Sequence, residues 1–463
     1  MSSAAYPVPR APVWAALTFG AWAAAIAVAP DFRVKALLAA PAVLVPLVWW
    51  TLGRPARWLA LFFAAALLLP PLPIPIGDSG PHPCLLFAAL GLFAGLLWLR
   101  EWRIPPSGLN AALAALFGVL LASVAPAALH SGGPAAVGSL VRVALFGISL
   151  YVFFYTAYGP AREQRVSLRP LYWIAAASAL FACVDFYFQF PAPAGYGPQF
   201  VWLASGVYRR AQGVFYEAST LGNFCAFFLV MIAVAFSRPA AQRPLSRKAL
   251  AAGGAVFFAA LVLSYSRASL LNVLVACAVL AWRNRHGIRL GRAAAILAAA
   301  AAGAVAVWQV FPAFAAMYWL RLTSTTEYLF TATEGLLSGR VASWRTLADW
   351  IAAHPWQALA GIGYKTLPYS DYLGGPVVAD NMYLSLLVET GIAGLAALVW
   401  VNVAILRAAS RAARSADSRT SFFGVWMLCF WAGEVVQMAS GDLLTYWRVL
   451  PLYLWALAVA VRA

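Results

Sequence analysis

"GLNAALAALFGVLLASVA", residues 108–125, runs without a single charge and, coiled as an α-helix, is long enough to cross the hydrocarbon core of a bilayer. A second run, "VWAALTFGAWAAAIAVA" at 13–29, has the same character. The whole chain of 463 residues is 63% hydrophobic and only 10% charged, against about 25% charged in a soluble domain. The fold class expected is therefore all-α, a polytopic membrane helix bundle. No period-two alternation suggests a membrane β-barrel. The first run imitates a signal peptide, but many further runs follow it, so an uncleaved first helix is expected.

Breaking the apolar pattern at proline, glycine and clustered charge gives candidate helices at 11–29, 35–51, 58–76, 83–99, 108–128, 136–158, 170–190, 213–236, 248–264, 268–282, 292–311, 381–405, 420–437 and 446–462. The ninth and tenth are short and separated only by "SYSR", so the count lies between twelve and fourteen. The chain then divides into a first set of spans over 1–311, a large loop over 312–380 and a last set of spans over 381–463. Proline and glycine breaks predict two or three short surface helices inside that loop, with a stop at Pro355.

The net charge of +17 does not point to nucleic acid, because no basic soluble domain exists to hold one. It follows from the excess of Lys and Arg in cytoplasmic loops. Placing the N-terminus in the cytoplasm puts most of the 32 basic residues there, including Arg54, Arg103, Arg165, Arg247, Arg285 and Arg411, with the C-terminus on the same side. The 312–380 loop is then extracytoplasmic, and Arg340 and Arg345 lie on the side that the charge rule disfavours.

Ionisable and amide side chains inside spans are costly and mark function by default. Under this topology Arg142, Asp185, Gln189, Glu217, Arg267, Glu434 and Gln437 all fall near the outer span ends, which implies a polar outer cavity above a sealed inner half. Each has a plainer reading as well: Arg142 can reach the surface or pair with Asp185, and Glu434 can cap a helix. Arg209, Arg210, Arg267 and Arg340 flank span ends or the loop, and converging guanidinium groups suit a diphosphate. Lipid headgroups would serve as an alternative partner for outer arginines. His82, His130, His286 and His354 lie far apart, so neither a metal site nor a cofactor is expected. Cys84, Cys183, Cys225, Cys277 and Cys429 read as small core residues. "GIG" at 361–363 follows no strand and reads as a turn, and "GVFYEASTLG" has no nucleophile elbow.

Taken in order, "RRAQGVFYEASTLGNF" at 209–224, "LSYSRASLL" at 263–271, "SGRVASW" at 338–344 with "HPWQALAGIGY" at 354–364, and "ADNMYLSLLVETGIAGL" at 379–395 resemble the O-antigen ligase and Wzy-type polymerase superfamily. The resemblance covers roughly 205–400. It implies a metal-independent, inverting glycosyltransferase at the outer face of the bacterial inner membrane, with a glycan on undecaprenyl diphosphate as donor and a glycan or lipid-linked glycan as acceptor. Membrane lipids, and a chain-length regulator in the polymerase case, are the other partners implied. Carried over by motif, Arg210 (or Arg209), Arg267 and Arg340 face the donor diphosphate, with Arg340 also counted as catalytic. Arg345 is a helper or pairs with Glu334 or Asp349.

The last motif departs from the ligase pattern, in which a His-Asn pair activates the acceptor. Here Asp380-Asn381 stands in its place. Asp380, or failing it Glu217, is the expected general base. Asn381, Tyr383, Arg142 and Asp185 are secondary site positions. His354 is too far upstream to substitute, so the departure favours a polymerase that joins lipid-linked repeat units over a ligase that transfers to lipid A-core. A flippase for the same lipid-linked glycan is the non-enzymatic rival, but no inverted repeat or midplane charge supports it. Trp344, Trp356, Tyr364 and Tyr369 are candidates for stacking on sugars or anchoring at the interface.

Overall fold

The computed structural model describes residues 13–54, 56–72, 74, 81–159, 166–192, 196–203, 206–285, 305, 308–309, 312–331, 340–368, 373–375 and 377–462. Its helices are α1 (Val13–Val28), α2 (Phe32–Leu52), α3 (Arg57–Leu68), α4 (Cys84–Leu97), α5 (Gly108–Ala122), α6 (Val124–Tyr158), α7 (Leu168–Phe188), α8 (Ala218–Ser237), α9 (Arg247–Leu263), α10 (Arg267–Arg283), α11 (Pro312–Thr331), α12 (Arg340–Ala353), α13 (Pro355–Ala360), α14 (Met382–Ala412), α15 (Ser418–Gln437) and α16 (Leu450–Val461). A hairpin of β1 (Phe200–Leu203) and β2 (Gly206–Arg209) pairs antiparallel between α7 and α8. The chain is an all-α polytopic membrane protein. Five of its helical segments, Gly108–Tyr158, Leu168–Phe188, Ala218–Ser237, Met382–Ala412 and Ser418–Ser440, are long and apolar enough to cross a membrane.

Local chemistry sets where these helices begin. Ser107, Ser246, Ser266, Asn381 and Asp417 each accept a hydrogen bond from the backbone N–H three residues on, satisfying a donor that the first turn leaves open. Proline decides one end against expectation: the helix foreseen over 58–76 stops at Leu68, because Pro70, Pro71 and Pro73 cannot continue it. The break foreseen between 128 and 136 is a kink at Gly132, with φ +82°, inside α6. The "SYSR" segment separates two distinct helices, α9 and α10, through Tyr265 at φ +52°. The span foreseen at 292–311, together with Arg162, Arg165, Glu334 and Tyr369, lies almost wholly outside the described residues.

Within 312–380 the described helices are α11, α12 and α13, and α11 is longer than the short helices foreseen. Pro355 opens α13 at its first position, where its missing N–H is harmless, directly after α12 ends at Ala353. Cys84, Cys225 and Cys429 are buried as foreseen, but Cys277 is exposed on α10 and Cys183 is half-buried on α7.

The core is built around α16, buried from Leu450 to Ala460 on every side, as expected of an apolar helix enclosed by others. It packs on α6 and α15, and α15 packs on α10 and α14. Phe227, Trp426, Phe430 and Tyr453 interlock between α8, α15 and α16, with ring centroids 4.3–4.8 Å apart. The helices α8, α10 and α14 start at one end of this bundle. At the other end Arg238 donates to the Ser418 carbonyl over 3.0 Å and Arg283 to the Ala413 carbonyl over 2.7 Å.

One crossing of backbone on backbone positions the site. α14 breaks at Gly391, φ +70° and ψ −170°, which frees the carbonyls of Val388 and Glu389 from the helix. Those carbonyls accept from the N–H groups of Ile362 (3.1 Å) and Gly363 (2.8 Å), just after α13. A Cβ at Gly391 would lie 2.1 Å from the Leu359 carbonyl oxygen, and one at Gly361 would lie 2.5 Å from that of Glu389. The Gly361–Gly363 stretch is thus a crossing turn, in keeping with its reading as a turn. Gly391→Ala, forced into a conformation nearly reserved for glycine, is expected to cost roughly 1–3 kcal/mol before any clash is counted. A thermal midpoint of the solubilised protein equal to wild type would disprove that the crossing is tight.

Candidate functional site

The four sequence motifs meet in pairs before they meet as a set. Arg210 follows β2, and its Nε donates to the Ser264 carbonyl over 2.8 Å, while the N–H of Ala211 donates to Leu263 (2.9 Å). The turn between α9 and α10 is thereby tied to the segment leading into α8. Gly222 of α8 presses on the same turn, where a Cβ would meet Ser266 Cβ at 2.7 Å and Ser264 Oγ at 2.9 Å. Arg267 is the first residue of α10 beside this contact.

The second pair is made by α12 and the start of α14. Arg340 Nε donates to Asp380 Oδ2 over 3.0 Å, and Trp344 Nε1 donates to the Ala379 carbonyl over 2.6 Å. Trp344 thereby ties the two segments together. Asp380 holds φ +45°, a left-handed conformation that aspartate tolerates better than most residues. The helix cap belongs to Asn381, whose Oδ1 accepts from the N–H of Leu384 over 3.1 Å.

Both pairs line one cavity of about 240 Å³. Its wall includes Arg210, Glu217, Arg267, Arg340 and Asp380, together with Tyr265, Ser266, Lys365, Ser385, Glu389, Asp442 and Tyr446. The N-terminal ends of α8, α10 and α14 border it through Ser219, Ser266 and Asp380, so the positive ends of three helix dipoles add to the guanidinium charges.

The cavity is electrically divided. On one side Arg210 and Arg267 both lie within repulsive reach of Arg340. Desolvation lowers the Arg210 pKa to about 10, an effect opposed by nearby Tyr446 and Glu217, and the group remains charged at neutral pH. Glu217 immediately precedes α8, faces the cavity and is otherwise enclosed. That enclosure raises its pKa above the ordinary carboxylate value, while the hydroxyl of Thr220, donating over 2.5 Å, and the charges of Arg448 and Arg210 hold it down. On the other side Lys365 pairs with Asp442. Burial alone would discharge this lysine, but Asp442 and Glu389 raise its pKa instead.

Residues 252–399 match the protein-family model described as O-antigen ligase. Over that segment, about a third of its length, the chain is similar to that family. Arg267, Arg340, Lys365, Asp380 and Glu389 fall inside the match, whereas Arg210, Glu217 and Asp442 reach the same cavity from outside it. No curated protein matches the chain. The family describes an enzyme of glycosyltransferase type acting on lipid-linked glycans.

Several expected site residues sit elsewhere. Arg209 pairs with Asp185 at 3.7 Å and does not line the cavity, so Asp185 is the partner of Arg209 and not of Arg142. Arg142 does not line the cavity but acts electrostatically on Tyr364 and Lys365. Arg345 is exposed on α12, and the Tyr383 hydroxyl donates to the Val435 carbonyl over 2.7 Å. Tyr364 is buried, and Trp356 is exposed. Glu434 and Gln437 are not cavity residues: Glu434 accepts from Asn223 and Asn272, and Gln437 accepts from Asn272 over 3.2 Å, in an amide network beneath the cavity. Gln189 caps the end of α7. Among the described residues no cluster of His, Cys, Asp and Glu could hold a metal.

Lys365, Glu389 and Asp442 escaped sequence reading. Glu389 carried a signal, because an acid inside an apolar run is a functional candidate by default. Lys365 and Asp442 meet only through the fold. The two ion pairs differ in exposure, and so in their expected contribution to stability. Arg340 and Asp380 side chains are 28% and 46% exposed, Lys365 and Asp442 only 10% and 13%. Asp380→Asn should therefore cost under ~1 kcal/mol, and Asp442→Asn, which strands a buried lysine, several times more. Thermal melts that rank the two variants in the opposite order would refute this assignment.

Proposed function

We propose that this protein is a polysaccharide polymerase that transfers a glycan from undecaprenyl diphosphate to a sugar hydroxyl of another lipid-linked repeat unit, at the outer face of the inner membrane. The observation that carries the reading is the convergence of Arg210, Arg267 and Arg340 on one cavity that also holds two carboxylates. Arg210 and Arg267 are each repelled by Arg340, and a diphosphate relieves that repulsion while its developing charge is stabilised as the glycosidic bond breaks. The diphosphate linkage is already activated, so neither nucleotide nor metal is required. The acceptor hydroxyl attacks the anomeric carbon from the face opposite the departing diphosphate and inverts its configuration.

The two carboxylates exchange the rank expected for them from sequence. Asp380 is bound by the Arg340 guanidinium and so positions it. Glu217 is enclosed, and its pKa is raised towards the working range of a general base. In this reading Glu217 takes the acceptor proton and Asp380 orients Arg340. Beneath the cavity, the interlocked Phe227, Trp426, Phe430 and Tyr453 fill the bundle, which favours an enzyme over a flippase. The Asp380-Asn381 pair in place of His-Asn favours a polymerase over a ligase.

Arg210→Ala, Arg267→Ala and Arg340→Ala are each expected to lower product formation by roughly 100-fold or more, the scale of removing a preorganised donor to a developing anion, with the protein still folded in membranes. Near-normal product from two of the three would sink the diphosphate clamp. Because a general base works only when ionised, activity should fall as pH drops through the raised pKa of Glu217, and the acid limb of kcat/KM should lie above the ordinary carboxylate range. Glu217→Gln should abolish turnover; a normal rate and pH profile in that variant would return the role to Asp380. Purified protein given undecaprenyl-diphosphate repeat units alone should build a ladder of longer lipid-linked glycans. Transfer that begins only after lipid A-core is added would identify a ligase instead.

A further inference from the structure

The basic side of the cavity accounts for a donor diphosphate, but the opposite wall is built differently. Glu389 is 1% exposed and lines the cavity. One of its oxygens, Oε1, accepts from the Leu367 N–H over 3.3 Å, while the other, Oε2, is buried with no hydrogen-bond partner. A buried carboxylate oxygen without a partner, in a side chain that lines a cavity, is expensive unless a small shift lets a donor reach it. Ser385, one helical turn earlier on the same face of α14, lines the cavity as well, and Asp442 closes this wall with its charge engaged by Lys365.

We propose that this wall, Glu389 with Ser385 and the Lys365–Asp442 pair, is the acceptor subsite, and that it binds a sugar ring bearing free hydroxyl donors and no negative charge. The inference rests on the function proposed above and adds to it the chemical class of the acceptor. Carboxylates accept from sugar hydroxyls, so Glu389 Oε2 gains the donor that the protein does not supply. The wall carries two carboxyl groups against one lysine, and Asp442 already engages that lysine, so a uronate carboxylate placed there would find no free cation. The donor end, with three guanidinium groups, has the opposite preference. One cavity is thereby divided into an anion-binding half and a hydroxyl-reading half, with Glu217 on the arginine side.

The test separates the two halves. Wild-type and variant proteins in nanodiscs receive two probes: an undecaprenyl-diphosphate glycan whose non-reducing end is blocked, so that it can only donate, and the repeat-unit glycan on a short alkyl aglycone, which can only accept. Glu389→Gln should raise KM for the alkyl glycoside about tenfold or more, the scale of one hydrogen bond to a charged group, and leave KM for the blocked donor unchanged. Ser385→Ala, a gentler change, should raise the acceptor KM a few-fold, and Glu389→Asp should recover part of the loss. An alkyl glycoside carrying a uronate at the accepting ring should be a poor acceptor for wild type and a better one for Glu389→Gln. Acceptor KM values unchanged in both variants, or donor and acceptor KM rising together, would overturn the subsite. Failure of wild type to consume the blocked donor with any acceptor would overturn the proposed function itself.

Discussion

A guanidinium, ammonium or carboxylate is costly in an apolar bundle unless a partner meets it, and that cost organises this molecule. Arg210 is held by the carbonyl of Ser264, Arg340 by Asp380 and Lys365 by Asp442. Each partner comes from a segment remote in sequence. The bonds that make the charges tolerable are therefore the same bonds that draw the hairpin, the α9–α10 turn, α12 and the start of α14 around one cavity. Repulsion among Arg210, Arg267 and Arg340 remains after this pairing, and three helix N-termini add to it. That excess of positive charge is what the proposed diphosphate would neutralise.

Backbone geometry supplies the other half of the cavity. The break at Gly391 opens two carbonyls of α14, and the turn after α13 closes on them. Only glycine fits at the contact, since a Cβ on either side would enter the opposing backbone. This crossing places Lys365 next to Glu389 and sets both against Asp442, which arrives from the far end of α15. Further along the same helices the Asn223–Glu434–Asn272 network and the aromatic cluster around Phe227 fill the bundle. The cavity therefore has two chemically distinct walls, one rich in arginine and one holding Lys365, Glu389 and Asp442.

Much of this was legible in the residues themselves. Uncharged runs such as 108–125 can satisfy their backbone in a bilayer only as helix, so the all-α class and most helix positions follow from composition and spacing. The misplaced end at Leu68 and the kink at Gly132 arose where proline and glycine act within a run that hydropathy reads as continuous. Arg210, Arg267, Arg340, Glu217 and Asp380 were recognisable because each is a charge beside a span end in a recurring motif. Their convergence on one cavity was not, since motif order says nothing of distance.

Sequence by itself thus determined the class of fold, the resemblance that the 252–399 match supports and the charged residues that needed explaining, because these depend on local hydrophobicity and residue type. Tertiary structure alone decided the pairings. Asp185 went to Arg209, Asp380 to Arg340 and Asp442 to Lys365, and Glu389 in the cavity wall was left with one buried oxygen that has no hydrogen-bond partner. Ionic and hydrogen-bonding preferences among arginine, lysine, aspartate and glutamate are nearly interchangeable in a sequence. Which partners meet is set by the packing of helices and the crossing of two glycines, and that packing exists only in the folded bundle.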